Sequence, residues 1–295
     1  MSQQPDTLDS ACRWLAARLS AAGIADARRD ARLLVAHALG LDPQRLLIDG
    51  DRRLGSADLV ALEAVATRRC AREPVSRIIG SRGFWTLDLT LTPDTLDPRP
   101  DTETLVEAVL AARPDRQAPL RMLDFGTGSG CILLALLSEY PAAQGLGIDI
   151  APGAVAAAEA NARRNGLDQR ARFQCGNWAE GLSGPFDVIV SNPPYITDAE
   201  MAGLEPEVTR YDPLRALVSG PSGLEDYQRL IPALPALLAP GGLVALEVGH
   251  TQAEAVSALL VASGFDAPWA RQDLGGIARC VVAESHHPEK NDKKA

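Results

Sequence analysis

Apolar positions recur at helical spacing through roughly the first quarter of the chain. Ala11, Leu15 and Leu19 fall on one face of a helix that Gly23 ends. A second stretch, Asp26 to Leu39, puts Ala31, Leu34 and Ala38 on one face and stops at Gly40-Leu41-Asp42-Pro43. A third begins at Ser56, read as its N-cap, and carries Leu59, Leu62 and Val65. Residues 1–80 therefore predict a small bundle of three or four helices. Within it, His37 reads as structural. The bundle is either a packing appendage or a substrate-recognition domain; the second is favoured because the rest of the chain would not need it to fold.

The period then changes. Residues 83–92, Gly83-Phe84-Trp85-Thr86-Leu87-Asp88-Leu89-Thr90-Leu91-Thr92, alternate apolar and polar and read as a β-hairpin. The run from Pro93 to Pro100 holds three prolines and is expected to be a rigid connector, giving a linker over residues 81–100. From Leu120 the pattern is strand, turn, helix, repeated. The expected strands are Arg121–Phe125, Gly145–Ile150, Ala171–Gln174, Phe186–Ser191, Leu243–Val248 and Ala278–Ala283. The expected helices are Cys131–Glu139, Pro152–Asn165, Leu224–Leu238 and Gln252–Ser263. Such alternation predicts an α/β domain over residues 101–285, with a mostly parallel sheet covered on both faces. Ligands should bind at the carboxyl ends of its strands, near the point where strand order reverses. The polar tail 286–295, with its His286-His287 pair, is expected to be disordered and solvated.

Composition narrows the classes. The chain has 295 residues, 46% of them hydrophobic, so a sizeable core is possible. No apolar run reaches membrane-spanning length, and Met1-Ser2-Gln3-Gln4-Pro5 lacks a basic-then-apolar leader pattern. The five cysteines are scattered without a Cys-x-x-Cys pair. They read as reduced thiols in a cytoplasmic protein with no metal site. Net charge is −9. Residues 1–95 carry 13 Arg against 12 Asp and Glu; the remainder carries 16 basic and 26 acidic residues. An acidic main domain argues against gripping naked nucleic acid through its phosphates.

The sharpest chemical signal is Asn192-Pro193-Pro194-Tyr195, directly after the strand Phe186–Ser191. Two prolines cannot continue a sheet ladder, so the chain must leave the sheet abruptly with a side-chain amide at its edge. A planar acceptor, a backbone carbonyl and an aromatic ring then lie within four residues, a grouping suited to holding a flat –NH2 group. The bland alternative is an Asx-type turn before proline.

A second signal is Asp124-Phe125-Gly126-Thr127-Gly128-Ser129-Gly130, between a strand and a helix. It departs from the dinucleotide fingerprint, which needs glycine where Cys131 stands. Asp149, at the tip of the next strand, is placed to accept hydrogen bonds from ribose hydroxyls in either nucleotide family. Asn177-Trp178, after the third strand, are candidates to flank an adenine; alternatively Trp178 is a core residue.

The Asp-x-Gly-x-Gly-x-Gly spacing resembles the S-adenosylmethionine loop of Rossmann-like class I methyltransferases. More of the chain resembles one family, the glutamine-N5 methyltransferases that modify peptide chain release factors. The resemblance rests on the helical N-terminal region, Arg72-Glu73-Pro74, Gly83-Phe84-Trp85, Pro98-Arg99-Pro100-Asp101-Thr102-Glu103, the glycine loop, Asp149, Asn177-Trp178 and Ser191 to Ile196. Leu246-Glu247-Val248-Gly249-His250 and Asp273-Leu274-Gly275-Gly276 complete it. It implies methyl transfer from S-adenosylmethionine to the side-chain nitrogen of the glutamine in the release factor Gly-Gly-Gln loop, and so an effect on translation termination. It also implies roles. Asn192, Pro193 and Tyr195 would be catalytic, and they and Pro194 would hold the substrate. Asp124, Gly126, Thr127, Gly128, Ser129, Gly130, Asp149, Asn177, Trp178 and Asn192 would bind the cofactor.

The chain departs from the family pattern at Asp97, where an apolar residue is usual, and at Asn177, where aspartate is usual. His250 is expected to be structural; Arg99 either anchors the linker through an acid such as Glu103 or lines the pocket, the structural role being favoured. The expected partner is a release factor, bound without direct nucleic acid or membrane contact by a monomer. Three rivals remain: a glutamine methyltransferase acting on a ribosomal protein, a nucleic-acid adenine-N6 methyltransferase that flips its base, and a non-enzymatic cofactor-binding scaffold.

Overall fold

The computed structural model describes residues 4–286; the expected tail falls outside them except for its first residue, His286. The N-terminal helices are α1 (Leu8–Ala21), α2 (Ala27–Ala38), α3 (Arg45–Ile48), α4 (Ser56–Cys70) and α5 (Val75–Ile79). Their core gathers the periodic residues: Leu8, Ala11, Leu15 and Leu19 of α1, Ala31 and Leu34 of α2, and Leu62, Val65 and Ala66 of α4. α1 starts with a capping box in which Thr7 and Ser10 satisfy each other's backbone N–H groups. At α4 the cap is Gly55 and not Ser56, because the Asp58 carboxylate reaches back to the Gly55 N–H at 3.0 Å.

Next comes a two-stranded hairpin, β1 (Ser81–Phe84) and β2 (Leu87–Thr90), then helix α6 (Glu103–Ala112), which was not among the expected helices. The main sheet begins with β3 (Arg121–Phe125), α7 (Cys131–Glu139), β4 (Gln144–Asp149), α8 (Pro152–Arg164), β5 (Ala171–Cys175) and β6 (Phe186–Ser191). A short helix α9 (Pro206–Tyr211) follows. Then come α10 (Glu225–Leu230), α11 (Leu234–Leu237), β7 (Leu238–Glu247), α12 (Ala253–Ala262), β8 (Asp266–Gln272) and β9 (Ala278–Glu284).

The seven strands lie in the order β5-β4-β3-β6-β7-β9-β8. The first five are parallel, and β9 runs antiparallel to both β7 and β8. One core packs α6 and α7 on one face of the sheet, and a second packs α10, α11 and α12 on the other. Sequence order reverses between β3 and β6, so the loops after β3, β4 and β6 meet at one edge. The helix expected over Leu224–Leu238 is broken. Pro232 lies in a short 3₁₀ turn between α10 and α11, and β7 starts at Leu238. The edge strand β8 was not anticipated.

The chain divides into two units: residues 1–81 with 205–211, and 82–204 with 212–295. In the first, the nearly buried Arg69 bonds Asp30 at 2.8 Å and Glu207 of α9 at 3.0 Å. Arg72 reaches Glu205 and Glu207, and the Tyr211 hydroxyl donates to the Ala71 carbonyl. α9 is thus held by α4 and the residues after it. Nothing in the local sequence signals this excursion.

Candidate active site

The loop after β3 is shaped by its own backbone. Gly126 and Gly128 have φ of +66° and +55°, which side chains disfavour. The Thr127 N–H donates to the Ile148 carbonyl at 3.0 Å, the Gly128 N–H to Asp149 Oδ2 at 2.9 Å and the Gly130 N–H to the Thr127 carbonyl at 2.8 Å. Three loop amides are therefore spent inside the protein and do not form a phosphate cradle. Asp149 also accepts the Ala151 N–H at 2.9 Å through Oδ1. Each of its oxygens keeps a further lone pair.

Asp124 lies behind the loop, 1% exposed, and accepts the Thr127 hydroxyl at 2.7 Å. Burial pushes its carboxyl up to about 7, against the pull of Thr127, and the negative Asp149 adds to the rise. Asn161 of α8 supports the loop from the other side, donating to the Ser129 carbonyl at 2.9 Å while holding Thr90 of β2.

A cavity of about 350 Å³ opens here. Gly126 to Ser129, Asp149, Asn177, Trp178, Asn192 and Pro194 line it. Asp124, Gly130, Pro193 and Tyr195 stand off its wall; Gly130 instead caps α7, close against Ala158 and Leu134. Trp178 sits edge-on to Phe125, with ring centroids 6.3 Å apart. Ile150, 64% exposed, adds an apolar surface that the sequence reading missed. Asn177 donates to Glu180 at 2.6 Å, which leaves its oxygen free to accept.

Three arginines reach the wall, and each has an aspartate: Arg99 with Asp212 at 2.7 Å, Arg215 with Asp94, and Arg229 with Asp226 at 3.9 Å. Arg99 is thus anchored by Asp212 and not by Glu103, whose carboxylate accepts the Trp85 N–H. Asp97, near the base of this segment, is buried, and Arg82 stands 3.6 Å from it. A wall of paired arginines and spent loop amides suits a nucleoside without a pyrophosphate. Ser129 Oγ and Asp124 Oδ1 are buried without a hydrogen-bond partner in the protein, further polar capacity at the loop.

Asn192 follows β6, whose last residue is tied across the sheet by a 2.8 Å bond from the Ser191 hydroxyl to the Phe125 carbonyl. Its Nδ2 donates to Thr102 Oγ1 at 3.4 Å, which leaves its oxygen able to accept. The turn beyond is clamped. Gln252 donates to the Tyr195 carbonyl at 2.9 Å and the Gly223 carbonyl at 3.2 Å, and accepts the Gly249 N–H. A Cβ on Gly223, at φ +71°, would fall 2.5 Å from the Tyr195 carbonyl oxygen. The Tyr195 hydroxyl points to Glu247 at 3.4 Å. His250 is exposed and takes no part in the cavity.

Residues 10–80 match the PrmC N-terminal domain, and residues 96–205 match the methyltransferase small domain. A release factor glutamine methyltransferase of Rhodospirillum rubrum is 56% identical over 266 residues, covering 90% of this chain and 81% of its own. That of Bradyrhizobium diazoefficiens is 44% identical over 286 residues, covering 96% of both chains. Among solved structures, the hMettl16 catalytic domain in complex with MAT2A 3'UTR hairpin 1 has a TM-score of 0.58 at 15% identity, covering 87% of this chain and 92% of that one. This last likeness shows the fold alone. With a class I methyltransferase sheet and this level of identity along nearly its whole length, the chain belongs to the release factor glutamine methyltransferase family.

Proposed function

We propose that the protein transfers a methyl group from S-adenosylmethionine to the side-chain amide nitrogen of the glutamine in the release factor Gly-Gly-Gln loop. The observation that carries the reading is Asn192. It lines the same cavity as the glycine loop and Asp149, and its nitrogen is engaged by Thr102, which leaves its oxygen to accept.

Bound S-adenosylmethionine supplies an electrophilic methyl group on a sulfonium, with a neutral thioether as leaving group. The residues around the cavity would orient it. Asp149 would accept from the ribose hydroxyls with its remaining lone pairs. Trp178 and Ile150 would border the adenine, and the Asn177 oxygen could accept from its amino edge. Gly126 and Gly128 let the backbone approach closely.

On the acceptor side the difficulty is the amide nitrogen, a poor nucleophile because its lone pair is delocalised. Asn192 Oδ1 and the Pro193 carbonyl each accept one proton of the –NH2 group. They align the nitrogen and favour the positive charge that develops on it. Pro194 borders the pocket, and Tyr195 supports the turn from behind it. No strong base is needed for attack: as the N–C bond forms and the S–C bond breaks, the nitrogen becomes acidic and its extra proton is lost to water. We place the reaction in the cytoplasm, in keeping with cysteines that carry no disulfide.

The test is direct. The protein is incubated with labelled S-adenosylmethionine and, separately, a release factor, ribosomal proteins and DNA, and the modified residue is mapped by mass spectrometry. Label on the Gly-Gly-Gln glutamine supports the reading. Label on adenine, or on a ribosomal protein alone, overturns it.

A further inference from the structure

Glu247 ends β7 and is 3% exposed, yet nothing in the transfer described above uses it. A carboxylate buried in a sheet is costly unless its oxygens are satisfied. Here the Tyr195 hydroxyl stands 3.4 Å from Oε1, and Oε2 has no aligned hydrogen bond from the protein. The strand end is fixed by the Tyr227 hydroxyl, which donates to the Glu247 backbone carbonyl at 2.6 Å. The buried Thr102 hydroxyl lies beside the carboxyl. That same hydroxyl accepts Asn192 Nδ2.

We propose that Glu247 is a positioning residue. Its carboxylate orders a hydrogen-bond chain through Thr102 that turns the oxygen of Asn192, and not the nitrogen, toward the acceptor amide. The proposal rests on the function proposed above and deepens it. A hydroxyl has one proton to give. Because Thr102 accepts from Asn192, its own proton must be donated elsewhere, and Glu247 is the acceptor beside it. An ionised carboxylate only accepts, so the chain runs in one direction: Asn192 to Thr102 to Glu247. Reversed, Thr102 would donate to the Asn192 oxygen, and the Asn192 –NH2 group would face another –NH2 group. Tyr195 is held by the same carboxylate, so two members of the acceptor pocket share one anchor.

The charge balance makes the arrangement sensitive to pH. Burial pushes Glu247 up to about 7; Asp101 raises it further, while the Thr102 and Tyr195 hydroxyls and Arg279 oppose the rise. The other titratable groups that feel it are Tyr195, Tyr227, Cys280 and Cys131, and burial raises each of them above its ordinary value. They stay neutral where Glu247 changes charge. The acceptor pocket is therefore ordered above about pH 7 and loses its fixed direction below it.

The experiment compares wild type, Glu247→Gln, Thr102→Val and Thr102→Ser as full-length proteins, using whichever acceptor the wild type methylates. Turnover, acceptor KM and S-adenosylmethionine affinity are measured across about pH 6 to 8. Glu247→Gln and Thr102→Val should each lower kcat roughly 10- to 100-fold, with cofactor affinity kept and Thr102→Ser close to wild type. The wild-type rise in kcat through neutrality should shrink in Glu247→Gln. The double variant should be no worse than the poorer single one, because both cut one chain. Wild-type turnover with an unchanged pH profile in Glu247→Gln would overturn the proposal, as would a loss confined to KM or cofactor affinity. Should Glu247→Gln fail to fold, the Thr102 pair decides: equal rates for Val and Ser refute it. A wild type that leaves the release factor glutamine unlabelled instead refutes the proposed function.

Discussion

Asn161 Nδ2 donates to the Ser129 carbonyl at 2.9 Å, joining the last turn of α8 to the glycine loop. The same side chain accepts the Thr90 N–H and donates to the Thr90 carbonyl. It is fully buried. Asn161→Ala would strand several backbone groups away from water. We expect a loss of about 1–3 kcal/mol in stability, measured by denaturant unfolding, together with weaker S-adenosylmethionine binding by calorimetry.

Asn192→Ala removes the acceptor proposed to orient the glutamine amide. Single-turnover methyl transfer should fall by about 10²–10³-fold, while cofactor affinity changes little. Transfer at close to the wild-type rate in this variant would refute the role given to Asn192.

Asp149 accepts the Gly128 and Ala151 N–H groups, so its removal disturbs the loop as well as the proposed ribose contact. Asp149→Ala should weaken cofactor binding by more than tenfold, whereas Asp149→Asn, able to accept at one oxygen only, should fall between. Equilibrium titration orders the three proteins.

Asp124 and Glu247 both have carboxyls raised by burial to about 7. At pH below their ordinary values, folded and unfolded chains hold these protons alike. Between about 4 and 7 the unfolded chain has released them and the folded chain has not, so folding stability falls as pH rises. Above about 7 the loss is complete and this contribution levels off. Thermal melts of the ligand-free protein should show that decline, flattened in Asp124→Asn and in Glu247→Gln.

Strands and helices next to strong local punctuation were legible in the sequence. β3 and β6 match their expected bounds, and α7 starts where Gly130 caps it. β8 was hidden because it is an exposed edge strand containing Pro268, with no buried alternation to read. α6 was hidden by the prolines before it, which end at its first turn. Around the cavity, the lining residues Asn192, Asp149 and Trp178 could be picked out from local motifs. Those that act through a distant partner could not. Arg99 meets Asp212 across 113 residues, and Asn161 meets Thr90 across 71; no local spacing encodes either pairing.

The excursion of residues 205–211 bears on how the chain is made. Arg69 meets Glu207 across 138 residues, so on the ribosome the first helices emerge long before their ionic partner exists. Asp30 and the Glu73 carbonyl must hold Arg69 until then. The N-terminal unit is complete only after most of the α/β domain has been synthesised, and a clone ending near residue 81 would carry Arg69 and Arg72 without the glutamates that α9 and its leading residue bring.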